Sequence, residues 1–258
     1  FKNKPKNDVY LILTADEEDG GLGIKKIEKT LKINNANIII GESTEGKIRL
    51  GQKACFGYKI VLKSNGGHAA CVNFIDNLKN NPLQKFVQIV NKINKWVIKN
   101  NQIHKIYGGI TFNIGKISSG TNPNVIPDHA EFEIDFRFPP LKKFDNLDKI
   151  DKIIKKTIMS SCDNKQVQIF NIFKGNSFET RKNNLLVDKI RKIYKDLYKK
   201  EIVFFDNLSW TEGSVYEKFG NVIILGPGKI GQPHTSDEFV EMNSLKKVNK
   251  IYQALLNN

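Results

Sequence analysis

The chain has 258 residues, a formal net charge of +14 and a 40% hydrophobic composition, enough for one large or two smaller domains with a real core. No apolar run reaches the roughly 18 residues that a membrane span needs, so no helical span is expected within this chain. The lysines are spread through KKIEKTLK, KIDKIIKK and RKIYKDLYKK, as on helix faces, without a helix-turn-helix, finger or RNA-binding aromatic signature. The charge therefore does not point to a nucleic-acid partner.

VYLILTA (9–15) is a continuous apolar run and predicts a strand buried on both faces, as in a parallel sheet. GLGIKKIEKTLKI follows, with Ile24, Ile27 and Leu31 at helical spacing and lysines opposite. NANIII predicts a second buried strand, so the chain opens strand, helix, strand, with a right-handed parallel connection. The texture then changes. KACFGYKIVLKS (53–64) alternates, with Cys55, Tyr58, Ile60 and Leu62 as its covered residues. A helix begins near Pro82, strands follow at 107–117 and 129–140, a helix covers LDKIDKIIKKTIMSS, and a strand spans 165–173. In HAEFEIDFRF, Phe132, Ile134, Phe136 and Phe138 share one face and Glu131, Glu133, Asp135 and Arg137 the other. The middle section reads β-α-β-β-α-β, the ferredoxin-like order. A long helix (184–200), a short strand EIVFF, a strand in NVIILGPG (221–228) and a closing helix complete the chain.

The expected fold class is thus α/β. A mostly parallel-sheet domain (1–53 and 175–258) is interrupted by an inserted ferredoxin-like α+β domain (54–174). Three sparse cysteines, Cys55, Cys71 and Cys162, have no metal-binding spacing. They fit free thiols acting as small core residues in a reducing, cytoplasmic setting.

In parallel α/β sheets, ligands sit beyond the carboxyl ends of the strands. Four such ends carry polar groups here: Glu17 and Glu18 after VYLILTA, Glu42 after NIII, Thr211 and Glu212 after EIVFF, and His234 after VIILGPG. Carboxylates and a histidine meeting at one sheet edge suit a divalent metal such as zinc. Adjacent Glu17 and Glu18 point in different directions, so one can hold metal while the other moves a proton. His104 and His129 read as surface residues. GPGKIG (226–231) lacks the Lys-Ser/Thr of a phosphate loop and reads as a turn presenting His234.

TADEE, IIIGEST, SNGGHAA, NPNVIPDHAEFEIDFR and TEGS…LGPGKIGQPHTSDEF, in that order, resemble the co-catalytic zinc amidohydrolases. That family includes acetylornithine deacetylase, succinyl-diaminopimelate desuccinylase and glutamate-releasing carboxypeptidases. The resemblance implies Glu17 as general base, and Glu18, Glu42 and His234 as metal ligands. It implies His68 as an oxyanion-stabilising residue lent across a homodimer formed by the inserted domain. It implies Asn124 and Arg137 as holders of the substrate carboxylate, with Glu212, Gly226 and Gly228 lining the substrate. Two zinc ions are the implied cofactor, with cobalt or manganese as alternatives. The implied reaction is amide hydrolysis in an N-acyl amino acid, as in acetylornithine deacetylase; a desuccinylase, a C-terminal exopeptidase or a non-catalytic dimerising homologue are the alternatives. The family's His-x-Asp segment and bridging aspartate have no counterpart before Val9. The chain is therefore expected to be the C-terminal part of a longer polypeptide or a decayed homologue, missing the N-terminal part of the catalytic domain and inactive by itself.

Overall fold

The structure, a computed structural model, describes residues 5, 8–18, 20–161, 166–206, 209–232 and 235–257. In chain order its elements are α1 (Leu22–Ile27), β1 (Ala36–Ile40), β2 (Gly51–Gln52), β3 (Ala54–Lys63), β4 (Gly67–His68), α2 (Phe74–Asn80) and α3 (Pro82–Asn100). There follow β5 (Thr111–Ser119), β6 (Val125–Ile126), β7 (His129–Phe138), α4 (Leu147–Met159), β8 (Val167–Gly175) and β9 (Phe178–Glu179). The chain closes with α5 (Leu185–Tyr198), α6 (Gly213–Tyr216), β10 (Gly220–Ile224) and α7 (Met242–Asn257). They form two compact units, residues 1–52 with 177–258, and residues 53–176. No described helix is long and apolar enough to cross a membrane.

The first unit is α/β. β1 and β10 pair in parallel, Ala36 opposite Gly220 through Ile40 opposite Ile224. Their apolar runs are covered on both faces, which explains why they do not alternate. Ile223 and Leu225 pack with Leu186, Val187, Ile190 and Ile193 of α5 and Ile251 of α7. Val222 and Ile224 face the other way, onto Ile24 of α1 with Phe178, Tyr216 and Phe219. Both strands end at the same level, and the turns after them carry Glu42 and Gly226.

Two predicted strands of this unit do not form. Residues 8–14 have no ladder partner, and Leu11 and Leu13 are 83% and 81% exposed, while Ile12 packs against the cluster that holds Ile24 and Phe178. A strand needs a neighbour for its backbone groups as well as apolar side chains, and this segment pairs with none of the described strands. In EIVFF only Phe204 pairs, through a single parallel bridge to Ile48. α1 also stops at Ile27, short of Leu31.

The second unit is an antiparallel sheet in the order β5-β7-β3-β8, with α3 and α4 packed on one face. The chain runs β3-α3-β5-β7-α4-β8, so the outer strands are its second and fourth. The covered face carries Ala54, Phe56, Tyr58, Ile60 and Leu62 of β3 and Ala130, Phe132, Ile134, Phe136 and Phe138 of β7. They meet Ile89 and Ile93 of α3 and Ile150, Ile154 and Ile158 of α4, spaced four residues apart. Cys55 belongs to the opposite face from Tyr58, although it too is buried. Cys71 is exposed, so it is not the core residue expected, and Cys162 lies outside the described residues. Asn81 caps α3 by accepting from the Leu83 amide at 2.9 Å, with Pro82 in the first turn.

Candidate active site

In the first unit the turn before α1 builds the acidic end. Asp16 has φ 62°, and the Gly21 amide donates to its carbonyl at 2.8 Å. Gly21 itself sits at φ 68°, where a side chain would be strained and would also press on the Trp210 ring. This tight turn holds Glu17 half-buried and leaves Glu18 exposed. The Glu17 carboxyl is pushed up to about 7, first by burial and then by the negative charges of Glu42, Glu18 and Glu212. Sequence-distant carboxylates therefore act on one another here.

Glu212 lies at 6% exposure in the turn ahead of α6. Its Oε2 accepts from the Thr14 hydroxyl at 2.8 Å, and its Oε1 is buried without a hydrogen-bond partner. Burial raises its pKa, with Glu42 adding to the rise and Thr14 opposing it. Two buried side chains position this turn. Gln52 donates to the Thr211 carbonyl at 2.8 Å and accepts from the Thr211 amide and hydroxyl at 2.9 and 2.7 Å. Arg49 donates to Gly51 O at 2.9 Å and to the hydroxyl and carbonyl of Ser209. Neither Gln52, Arg49 nor Thr14 stood out in the sequence. Only Thr14, a polar residue closing an otherwise apolar run, left any signal.

The turn after β10 is zipped onto the turn after β1. Gly226 N donates to the Thr44 hydroxyl at 3.0 Å, Gly46 N to Gly226 O at 2.9 Å, and Glu45 N to Gly228 O at 2.9 Å. A Cβ on Gly226 would collide with the carbonyl of Glu42, and one on Gly228 with Ser43. These two glycines thus serve close backbone approach around Glu42. His234 lies outside the described residues.

In the second unit, the short β4–β6 ladder brings His68 opposite Val125, and the Ala69 amide donates to Asn124 O at 2.9 Å. His68 and Asn124, both exposed, are therefore neighbours. His68 Nδ1 accepts from the Ala70 amide at 3.2 Å, which leaves Nε2 as the proton-bearing nitrogen of the neutral ring. Arg137 stands elsewhere, on β7, donating through Nε and Nη2 to Asp135 Oδ2 at 2.9 and 2.8 Å. His104 accepts from the Ile106 and Tyr107 amides, and His129 pairs with Asp128, as bland surface roles require.

A concentration of carboxylates, one pushed to neutrality and another with an orphaned buried oxygen, matches a divalent cation in charge. Among the described residues, no group of three His, Cys, Asp or Glu side chains gathers closely enough to hold one. Glu18 and Glu42 can supply two hard oxygen donors and need a further ligand.

The M20 model described as Peptidase dimerisation domain matches residues 50–161. Along nearly its whole length the chain is also similar in sequence to curated hydrolases. It is 28% identical to a succinyl-diaminopimelate desuccinylase of Pelagibacter ubique, over 99% of this chain and 67% of that protein. It is 25% identical to an acetylornithine deacetylase of Buchnera aphidicola, over 98% of this chain and 65% of that protein. The fold of an M20 family metallo-carboxypeptidase from Sulfolobus solfataricus superposes with a TM-score of 0.70 at 17% identity, covering 93% of this chain and 68% of that one. The chain thus spans about two thirds of the length of these relatives.

Proposed function

We propose that the protein takes part in metal-dependent hydrolysis of an amide bond in an N-acyl amino acid, in the manner of acetylornithine deacetylase. One observation carries the reading: Glu17, half-buried, is held near neutrality by burial and by Glu42, Glu18 and Glu212. A carboxylate so poised can accept a proton from water and give it back at neutral pH.

In this reading Glu18, Glu42 and His234 hold zinc, which when bound supplies Lewis-acid polarisation of the scissile carbonyl and acidifies water. Glu17 takes the proton of the attacking water and returns it to the leaving nitrogen. His68 of a neighbouring copy donates from Nε2 to the carbonyl oxygen as negative charge grows there. Residues 50–161 are the surface through which two copies pair. Arg137, whose planar guanidinium suits two parallel hydrogen bonds, and Asn124, which comes with its neighbour His68 from the other copy, hold the substrate carboxylate. Glu212, Gly226 and Gly228 line the substrate; a side chain on either glycine would push the turn off Glu42.

A panel of N-acetyl and N-succinyl amino acids and dipeptides, offered to the full natural protein with zinc or cobalt, tests this. Turnover of N-acetyl amino acids above the others supports it. Cleavage of dipeptides alone would replace deacylase with exopeptidase, and no turnover of any member with metal bound would reject hydrolysis.

A further inference from the structure

The second unit holds a cavity that the hydrolytic reading does not use. It has a volume of about 520 Å³ and lies among α2, α3 and the residues on either side of the α4–β8 connection. Two lysines, Lys79 and Lys85, line it, and no carboxylate does among the described residues.

Lys85 is the informative residue. It occupies the buried stripe of α3, one turn before Ile89 and two before Ile93, where periodicity calls for an apolar side chain. It is 4% exposed. Its ammonium donates to the side-chain oxygen of Gln166, a neutral acceptor. A buried ammonium is costly unless it is both hydrogen-bonded and paired in charge. Among the described residues, one carboxamide meets the first need in part and nothing meets the second. Beside it, the hydroxyl oxygen of Ser161 is buried without a hydrogen-bond partner, and Gln88, whose amide donates to Leu78 O at 3.3 Å, lines the same wall. Asp76, the acid of α2, is engaged by Asn73 at 2.6 Å.

We infer that this cavity binds the phosphate group of a small phosphorylated molecule, with Lys85 and Lys79 supplying charge and Ser161 a hydrogen bond. Two ammoniums match the two charges that phosphate carries near neutral pH. The hydroxyl and the Gln88 amide complete a set of donors for a tetrahedral oxyanion, which accepts from several directions at once. The volume exceeds that of a bare phosphate, so a further organic part fits beside it. This site does not depend on the hydrolytic reading.

The probe is inorganic phosphate. About 10 mM phosphate should raise the Tm of the wild-type protein by about 3 °C over chloride at equal ionic strength. The same addition should shift the amide resonances of Lys85, Ser161 and Gln166. Lys85→Met keeps the buried stem and should abolish the phosphate effect; Lys79→Ala, at the exposed rim, should weaken binding about tenfold. The resonance shifts in the wild-type protein stand even if Lys85→Met fails to fold. Three results each overturn the site: no phosphate effect beyond chloride, an equal effect from acetate, or an effect retained in folded Lys85→Met.

Discussion

The hydroxyl of Thr14 donates to Oε2 of Glu212 at 2.8 Å across 198 residues of sequence. It ties the segment before the acidic turn to the turn ahead of α6. Among the described residues the bond is also the one lowering influence on a carboxyl that burial and Glu42 push upward. Thr14→Val should therefore raise the Glu212 pKa further and cost about 1–2 kcal/mol of stability, because it orphans a buried acceptor. Carbon-detected titration of the glutamate carboxyls reads the first effect and urea unfolding the second. An unmoved Glu212 titration would show that the bond is absent in solution.

Glu17 gives a pH dependence with a definite sign. Its carboxyl moves from 4.5 to about 7 on folding. The folded state therefore binds the proton more tightly than the unfolded chain. The stability this contributes is complete below about pH 4.5 and is lost as pH rises through about 7. Metal-free Glu17→Gln should lose none of it over that window. Its unfolding free energy should rise relative to wild type by on the order of 1 kcal/mol between those limits, discounted for the half-exposed side chain. Parallel curves for the two proteins across the window would remove the argument that Glu17 is poised near neutrality.

Gln52 closes three hydrogen bonds to Thr211 in a fully buried setting. Gln52→Ala leaves the buried amide and carbonyl of Thr211 without their partner and its hydroxyl proton without an acceptor, and should cost about 2–4 kcal/mol. Calorimetry measures the loss. A cost under about 0.5 kcal/mol, the range of ordinary surface substitutions, would mean that the Thr211–Glu212 turn is held by something else.

Gly226→Ala should displace the turn after β1, since the added Cβ meets the carbonyl of Glu42. Backbone cannot rotate away as a flexible side chain can, so the expected cost is about 1–3 kcal/mol, with amide shifts concentrated in residues 41–46. Shifts spread evenly over the unit, with no loss of stability, would contradict the close approach.

The second unit was the more legible in sequence, and the reason is physical. β7, and β3 beyond Tyr58, are covered mainly on one face, so apolar and polar residues alternate and the register writes itself into the pattern. Phe132, Ile134, Phe136 and Phe138 declared their shared face. The first unit's strands carry apolar runs, which record burial without recording a partner. NIII and NVII found each other; VYLILTA found no neighbour among the described residues, and its leucines stand in solvent. The candidate acids were visible because charges at strand ends interrupt apolar runs. Their supports were not: Gln52 and Arg49 act through bonds to Thr211 and Ser209, some 160 residues away, which no local spacing encodes. Lys85 was legible in principle as a lysine on an apolar stripe, yet lysines so abundant elsewhere concealed it.

The central claim is that Glu17 moves the proton while Glu18 and Glu42 hold metal. Glu17→Ala tests it most directly, with zinc affinity by calorimetry and turnover of an N-acetyl amino acid measured on the same full natural protein. The account predicts zinc affinity near that of wild type and a turnover lower by about 10²–10⁴-fold, the usual contribution of a positioned acid–base group. Turnover at the wild-type rate would contradict it, and so would loss of zinc binding together with activity, which would make Glu17 a ligand instead of a base.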